Sequence, residues 1–254
     1  MMISTPANPP SPFVSVIIPA WNEAAGIEAT IQSVHCLFIA HEIIVVDAGS
    51  TDATVRIAEN AGALVIRSAL RQRAAQMNLG AASAHGDVFL FLHADTHLNP
   101  GALLAIRDAL RDPRVVGGAF ARRYDSSSRV LAATCWLAGL RNRFFGWHLG
   151  DQAIFARCHI FQRCGPFPAV DRFEDLEFSR MIARCGKVVT LQPPVFSAAR
   201  RFAKDGPLLR TAKDFLLTCR YLVLGLAPAL PPATVRDTPT SVPREPRDPI
   251  PAQR

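Results

Sequence analysis

The stretch FLFLHADTHLNP, residues 89–100, decides how this chain is organised. Four consecutive apolar residues, 89–92, are typical of a strand that is covered on both faces of a sheet. His93, Asp95 and His97 follow directly, and the run then stops at an Asn-Pro pair. Polar, metal-capable side chains at the end of a buried strand indicate a site at the edge of the sheet.

The sequence around this stretch alternates between strand-like and helix-like segments. Short apolar runs at 13–20, 41–50 and 63–68 are separated by segments whose apolar residues recur at helical spacing. This alternation predicts a doubly wound, mainly parallel α/β sheet with helices on both faces. Because such sheets bind ligands beyond the carboxyl ends of their strands, the polar ends of strands one, two and four should open onto one edge.

Length and composition predict one globular domain with unstructured ends. The chain has 254 residues, of which 49% are hydrophobic and 19% charged, which is enough for a sizeable core. Residues 1–12 contain four prolines, and residues 231–254 contain seven with few large apolar groups. We therefore expect disordered segments at 1–12 and 231–254 and a single domain over 13–230.

The net charge of +7 indicates an anionic partner. An anionic ligand or membrane surface would satisfy it, whereas nucleic acid is not expected, because zinc-finger spacing and basic runs with interleaved aromatics are lacking. No secretory signal is recognisable, and no stretch reaches the ~18–20 apolar residues of a spanning helix, so we predict a cytoplasmic protein. The Leu-, Phe- and Trp-rich segments 128–149 and 206–230 either pack on the sheet, join copies in a homo-oligomer, or touch a membrane peripherally.

The six cysteines contain no Cys-x-x-Cys pair. A chain of this length does not depend on disulfides for its stability, so free thiols in a reducing compartment are expected.

Single polar positions leave alternatives open. The strand-one turn carries no Gly-x-Gly-x-x-Gly and no Walker-type loop, which disfavours a dinucleotide site and a P-loop. Asp47 could accept hydrogen bonds from a base or a ribose, and equally could be a turn former. Glu23 is either a ligand contact or a carboxylate favoured by a helix start.

Four segments in order resemble the family 2 glycosyltransferases, the inverting GT-A enzymes that use nucleotide-diphosphate sugars. They are VSVIIPAWNEAAGI (14–27), EIIVVDAGSTDAT (42–54), RQRAAQMNLGAASAHGDVFLFLHADT (71–96) and FEDLEFSRMIARCGK (173–187). The likeness extends over about 14–200 and is greatest to a small bacterial group with Leu-His-Ala-Asp-Thr and Gly-Asp-Gln segments.

The resemblance implies a donor site and a divalent cation, Mn²⁺ or Mg²⁺. In this site Asp95 would contact the metal, and His93 stands where the family has the first aspartate of Asp-x-Asp, so it is a ligand, a diphosphate contact or a core histidine. Ala48 replaces the second aspartate of the strand-two motif. Arg71 is a further basic candidate for the diphosphate or the base. The implied nucleotide-binding residues are Pro19, Ala20, Asn22, Glu23, Asp47 and Arg73.

The resemblance also assigns the general base. Asp175 is preferred over Glu174 and Glu177 because it matches the family's Glu-Asp helix, and a positioned carboxylate contributes ~10²–10⁴-fold to such a reaction. Trp147 and His148 either line an acceptor pocket or pack. The implied donor- and acceptor-binding residues are Gly150, Asp151, Gln152, Glu174, Arg200 and Arg201.

The expected function is therefore the transfer of a sugar from a nucleotide-diphosphate donor, with a UDP-sugar as the first choice, to an acceptor hydroxyl with inversion. The acceptor is unknown, and a lipid or isoprenoid would suit the basic, apolar segments. Two alternatives remain: a nucleotidyltransferase on the same fold, and a nucleotide-sugar-binding protein without turnover.

Overall fold

The predicted α/β sheet is present in the computed structural model, which describes residues 11–35, 39–170, 172–198, 202 and 206–224. Within these ranges the strands are β1 Val14–Ala20, β2 His41–Asp47, β3 Leu64–Arg67, β4 Val88–Phe91, β5 Thr96–His97, β6 Val115–Tyr124, β7 Ile154–Arg157 and β8 Lys187–Ser197. The helices of the same ranges are α1 Ile27–His35, α2 Thr54–Asn60, α3 Arg73–Ala82, α4 Ala102–Ala109, α5 Arg129–Phe145, α6 Cys158–Cys164, α7 Glu174–Cys185 and α8 Pro207–Leu224. The predicted tails 1–12 and 231–254 lie outside the described residues, apart from residues 11 and 12.

The described strands form one eight-stranded sheet in the order β3-β2-β1-β4-β7-β6-β8-β5. The four strands β1 to β4 run parallel to one another, and β6 runs parallel to β8. Strand β7 lies antiparallel between β4 and β6, and β5 is antiparallel to β8. The prediction of a doubly wound, mainly parallel sheet is confirmed, and β7 is the strand that joins its two halves.

Strand β4 shows why an uninterrupted apolar run is needed at the centre. Successive side chains of a strand point to opposite faces. Leu90 and Leu92 pack in the core formed with α1, α2 and α4, whereas Phe89 and Phe91 pack in the core formed with α3, α6 and α7. Helices therefore cover both faces of the sheet, and the chain leaves the core at His93.

Two segments near the sheet edge have well-defined partners. Asp52 accepts a hydrogen bond from the Thr54 amide at 3.0 Å, at the residue where helix α2 begins. His97 is a strand residue of β5 and pairs with Phe196.

One expectation about the cysteines is wrong. Cys164 and Cys185, at the ends of α6 and α7, form a disulfide, so the expectation of free thiols does not hold for this pair. The helices adjoin each other in the core, a proximity that their separation of 21 residues in sequence does not reveal. Among the described residues, Cys135 and Cys219 are free thiols.

Helix α5 lies beside β6 in the second half of the sheet and contacts α8. A small cluster of Tyr124, Leu131 and Phe202 anchors α5 to the end of β6. Among the described helices, none combines the length and the apolarity that crossing a bilayer requires.

Candidate active site

The turns that follow β1 and β2 are joined side by side. Asn22, in the left-handed region with φ of 53°, accepts a hydrogen bond through Oδ1 from the Thr51 amide at 2.9 Å. Its own amide donates to Ser50 Oγ at 2.8 Å, and the amide of Glu23 donates to Thr54 Oγ1 at 2.8 Å. The Pro-x-x-Asn-Glu turn is therefore fixed to the turn that contains Asp47.

Asp47 is buried at the end of β2 and is engaged by its own turn. Its Oδ2 accepts hydrogen bonds from the amides of Gly49 and Ser50, both at 3.0 Å, and its Oδ1 accepts one from Ser50 Oγ. The turn-forming role is thus realised. Because two carboxylate oxygens offer about four lone-pair sites, acceptor capacity for a ligand is left over.

Gln76 is a contributor that sequence reasoning missed. This buried side chain of α3 donates from Nε2 to the carbonyls of Ala20, at 2.9 Å, and Val46, at 2.8 Å. It holds together the carboxyl ends of β1 and β2, where Pro19 and Ala20 pair with Val46 and Asp47. The resemblance motif contains this glutamine, which was the available signal.

An aromatic and a guanidinium meet at the exposed rim of the same edge. The Arg71 Cζ atom lies 3.0 Å from the centroid of the Trp21 ring, a cation–π arrangement. Arg71 was a candidate for the diphosphate or base, whereas Trp21 was not singled out. A tryptophan immediately before the Asn-Glu pair of the turn was the signal.

Helix α3 and helix α7 are connected by an ion pair. Arg73 Nη1 lies 3.1 Å from Glu174 Oε1, and the Glu174 side chain is only 6% exposed. The pair brings a residue assigned to the nucleotide next to one assigned to the donor and acceptor. The carboxylate also offsets the unfavourable position of an arginine at a helix start.

Asp175, Gly150 and His93 come together although they lie far apart in sequence. Asp175 Oδ2 accepts a hydrogen bond from the Gly150 amide. A methyl group at Gly150 would lie 2.5 Å from His93 Nε2 and 2.9 Å from Asp175 Oδ2. The start of α7 therefore faces the end of β4.

The environment of Asp175 stabilises its protonated form relative to that of an ordinary exposed carboxyl. Burial, and then the neighbouring carboxylate of Glu174, raise the pKa of Asp175 to about 6. The Gly150 amide and Arg73 oppose this rise without cancelling it. A carboxyl with a pKa near the working pH can both accept and release a proton, as a general base requires.

His93 and Asp95 leave β4 as a pair that could contribute to a metal site. The described residues contain no group of three or more His, Cys, Asp or Glu side chains arranged to hold a metal ion. A divalent ion here would take its remaining ligands from a bound diphosphate, as Mg²⁺ and Mn²⁺ do in sites with one or two protein carboxylates. One carboxylate and one imidazole suit Mn²⁺ better than Mg²⁺.

Asp151 is held in a buried ion pair. Its Oδ2 lies 2.5 Å from Arg122 Nη1 and accepts a hydrogen bond from Tyr124 OH at 3.2 Å. The side chains of Arg122 and Asp151 are 7% and 12% exposed. The structure thus gives Asp151 internal partners that the implied donor- or acceptor-binding role did not include. The partners come from β6, in an Arg-Arg-Tyr sequence that was not singled out.

Gln152 and His148 are also committed to internal contacts. Gln152 Oε1 accepts from Arg141 Nη2 at 2.8 Å, and its Nε2 donates to the Phe120 carbonyl at 3.0 Å. Burial, and then Arg141, lower the pKa of His148 to about 3, so its ring is neutral at pH 7. His148 is therefore a packing residue.

Two further candidates, Trp147 and Glu177, both contact Arg180. The Trp147 ring centroid lies 5.1 Å from Arg180 Cζ, and Glu177 pairs with Arg180 at 2.8 Å. A cavity of about 500 Å³ is lined by Arg122, Arg123, Trp136 and Arg143, among others. Arg200 and Arg201 lie outside the described residues.

The family is decided by comparison with known proteins. The sequence model of glycosyl transferase family 2 matches residues 15–166, which include the β1 turn, β4 and the Gly150 segment. The chain belongs to glycosyl transferase family 2. The recognition from sequence is thereby confirmed.

A curated relative matches about half of the chain. An uncharacterized protein of Mycobacterium tuberculosis, MT1568, is 35% identical over 132 residues, which are 48% of this chain and 40% of that protein. The chain therefore spans less than half the length of this relative.

Two solved structures share the GT-A nucleotide-sugar transferase fold. The mannosyltransferase PcManGT from Pyrobaculum calidifontis, in complex with GDP-Man and Mn²⁺, has a TM-score of 0.59 at 23% identity, covering 75% of this chain and 57% of that one. TarS 1-349 from S. aureus, in complex with UDP-GlcNAc, has a TM-score of 0.61 at 18% identity, covering 73% and 58%. At these identities the likeness shows the fold alone.

Proposed function

We propose that the chain is a hexosyltransferase-type enzyme that moves a sugar from a nucleotide-diphosphate donor to an acceptor hydroxyl with inversion. The observation that carries this proposal is the position of Asp175. Its carboxyl, with a pKa raised to about 6, is held by the Gly150 amide, and Gly150 in turn lies against His93 at the end of β4. A base and a donor-side strand end therefore share one edge of the sheet.

Asp175 would act on the acceptor. As the acceptor oxygen bonds to the anomeric carbon, its proton passes to an Asp175 carboxylate oxygen. The bond from the anomeric carbon to the diphosphate breaks on the opposite face, and the nucleoside diphosphate leaves with the bonding electron pair. At pH 7 a carboxyl with a pKa of about 6 is mostly ionised and ready to take the proton.

The donor nucleotide would lie at the joined turns of β1 and β2. We assign its binding to Pro19, Ala20, Asn22, Glu23, Asp47 and Arg73. A UDP-sugar is our first choice, and the two structural relatives support a nucleotide-sugar class because their complexes hold GDP-Man and UDP-GlcNAc. The Trp21 ring, with Arg71 over it, offers an additional flat surface for a base.

Asp95 and His93 would hold a Mn²⁺ or Mg²⁺ ion together with the donor diphosphate. The bound ion would act as a Lewis acid that stabilises charge on the leaving group. Arg73 lies at the start of α3, where its positive charge adds electrostatic stabilisation. By the family resemblance alone, Arg200 and Arg201 are assigned to the diphosphate.

The acceptor would approach from the side of Gly150. Here Gly150 and Glu174 adjoin Asp175, whereas Asp151 and Gln152 support the segment through Arg122 and Arg141. We propose a lipid or isoprenoid alcohol as the acceptor and a peripheral location on the cytoplasmic side of a membrane.

A thermal-shift screen of nucleoside diphosphates and their sugars, with and without Mn²⁺, tests the donor site. Binding stabilises a protein by mass action, about 2.7 kcal/mol at a ligand concentration 100 times Kd. We expect the melting temperature to rise selectively with nucleotides of one base and to rise further when Mn²⁺ is added. In Asp95→Asn the additional rise caused by Mn²⁺ should be lost. The matched control is Asp108→Asn, an exposed carboxylate of α4 that pairs with Arg107.

Product analysis separates the proposal from its alternatives. Release of free nucleoside diphosphate indicates sugar transfer, whereas release of pyrophosphate would identify a nucleotidyltransferase. Donor binding without any turnover, across lipid and soluble acceptors, would identify a binding protein.

A further inference from the structure

Helix α5 turns its large apolar side chains outwards. Trp136 is 66% exposed and Phe144 is 72% exposed, and Leu137 and Phe145 are exposed with them. The inward side of the same helix carries Asn142, which is buried, and Arg141, which bonds Gln152. In this reversed arrangement the large aromatic groups face away from the protein and the buried residues are Leu131, Ala138 and Asn142, whereas an ordinary surface helix buries its large apolar groups.

Helix α8 is reversed in the same way. Leu208, Phe215 and Leu216 are 72%, 66% and 67% exposed. Its half-buried side instead carries the ion pair of Arg210 with Asp214, at 3.2 Å. Two adjoining helices with this pattern form one surface, which we call the α5–α8 face. Exposed apolar areas of this kind mark interaction sites.

The charges on the α5–α8 face have one sign. Helix α5 contains no acidic residue, and its exposed Arg129 and Arg143 lie two turns or more apart along it. In α8, Lys213 and Arg220 are exposed among the leucines, and the sole acidic residue, Asp214, is paired with Arg210. Long basic side chains can lay their apolar stems along a membrane while their charges stay in the headgroup layer.

The α5–α8 face is connected to the candidate base by direct contacts. Arg141 of α5 bonds Gln152, two residues after Gly150. Tyr221 of α8 packs on Phe173 with ring centroids 4.5 Å apart, two residues before Asp175. The 500 Å³ cavity is lined by Trp136 and Arg143 of the face and by Arg122, the partner of Asp151.

We infer that the α5–α8 face docks on an anionic lipid surface and presents a membrane-held acceptor to Asp175. The docking follows from the reversed helices and their positive charge, because an interfacial helix needs both apolar area and basic residues. The presentation of an acceptor rests on the proposed function. A neutral protein partner would not call for the arginines and lysine, and a second copy of this chain would bring like charges together.

Vesicle flotation tests the docking with the full chain. Vesicles of phosphatidylcholine alone are compared with vesicles containing about 30 mole per cent phosphatidylglycerol, at about 0.05 M and about 0.5 M salt. We expect binding to the anionic vesicles at low salt. Leu209→Ser combined with Phe144→Ser should weaken it about 10-fold or more, since affinity scales with buried apolar area. Arg220→Gln should weaken it about fivefold.

Leu64→Ser is the matched control, because Leu64 on β3 and Leu209 are both 54% exposed. It should leave vesicle binding unchanged. A second measurement is independent of affinity: anionic vesicles should shift Trp fluorescence to the blue in the wild type. In Trp136→Phe the shift should become smaller while flotation persists, because Trp136 is the exposed tryptophan of the face whereas Trp147 packs between Phe145 and Arg180.

Two outcomes overturn the docking of the α5–α8 face. Vesicle binding that is insensitive to the α5–α8 substitutions places the contact elsewhere. A dimer in light scattering that Leu209→Ser with Phe144→Ser dissociates, without vesicle binding, makes the face a contact between copies. A thermal-shift measurement with nucleoside diphosphates distinguishes the proposed function from the docking proposal, because it tests the donor site and does not depend on the α5–α8 face. Vesicle binding with no transfer from any donor would reject the proposed function and retain the docking face.

Discussion

The first half of the molecule, β1 to α4, and the second half, β6 to α8, place their polar residues in opposite ways. In the first half, polar side chains at strand ends bond to backbone groups of their own or the adjoining turn, as Asp47 does with Gly49 and Ser50. In the second half, charged side chains lie inside the protein and pair across long separations, as Arg122 and Asp151 do over 29 residues.

The difference indicates a division of labour. In the first half the helices bury their apolar faces on the sheet, and under the proposed function its strand ends would receive the donor. The second half buries the Arg122–Asp151 pair beside its apolar core and exposes apolar faces on α5 and α8, an arrangement that would suit an amphipathic acceptor. Asp175 lies where the halves meet, between the Arg73–Glu174 pair and Gly150.

The largest effect is expected for Asp175→Asn. If the meeting point of the halves performs proton transfer, this change should lower kcat by about 10²–10⁴-fold. The thermal shift with donor should persist, because the donor platform belongs to the first half. Glu177→Gln is the control, since Glu177 is also in the first turns of α7 but pairs with Arg180. Equal losses in both variants, or loss of donor binding in Asp175→Asn, would contradict the assignment.

The same variant has a stability signature that separates loss of the base from misfolding. The pKa of Asp175 is about 6 in the folded protein and roughly 3.9 in an unfolded chain. Ionisation therefore destabilises the fold progressively from about pH 4 to about pH 6, and the cost remains above that range. Asp175→Asn should be more stable than the wild type at pH 7, by on the order of 1–3 kcal/mol, with the difference vanishing near pH 4 in denaturant titrations.

The next largest effect is expected on the free energy of unfolding when the buried Arg122–Asp151 pair of the second half is broken. Asp151→Asn leaves Arg122 buried without its counter-charge, and removing one partner of such a pair costs about 3–5 kcal/mol of unfolding free energy. Asp108→Asn, in the exposed pairs with Arg107 and Arg111, should cost no more than about 1 kcal/mol. A small loss in Asp151→Asn would mean that water reaches Arg122 and that the two halves do not differ in this respect.

The contrast also explains which features the sequence could predict. Signals of the first half are local: the apolar run of β4, the alanine-rich α3 and the turn sequences after β1 and β2 each specify their own structure. The shared edge followed from the rule for parallel sheets. Asp175 was identified by the likeness of FEDLEFS to the family helix, since a helix-start carboxylate alone is common.

The second half was less predictable because its decisive contacts are between distant segments. The sequence around Asp151 does not indicate that Arg122 is its ion-pair partner, and the sequence around Gln152 does not indicate that Arg141 bonds it. Likewise, the bond between Cys164 and Cys185 depends on how α6 and α7 lie together. Exposure of Trp136 or Phe144 cannot be derived from hydrophobicity, because burial is the ordinary expectation for such residues.

A substitution at Gly150 perturbs the contact between the two halves by adding a single methyl group. In Gly150→Ala the new methyl group meets His93 Nε2 at 2.5 Å and Asp175 Oδ2 at 2.9 Å. We expect a loss of about 1–3 kcal/mol in stability and a lower kcat, measured together. Gly139→Ala is the control, because no atom lies within 4 Å of its added methyl group, and alanine in a helix gains roughly 0.5–1 kcal/mol over glycine. Normal activity in Gly150→Ala would show that His93 and Asp175 can separate without consequence.

The smallest effect is a displacement of the pH profile by the Arg73–Glu174 pair. Transfer needs ionised Asp175, so log kcat/KM should fall below a pKa of about 6 with a slope of about tenfold per pH unit. Glu174 raises the pKa of Asp175 after burial does, whereas Arg73 lowers it. Glu174→Gln should therefore move the acidic limb to lower pH, and Arg73→Gln should move it to higher pH. If both variants moved the acidic limb in the same direction, the pair would act by positioning α7 rather than through its charges. That result would contradict an electrostatic link between the two halves.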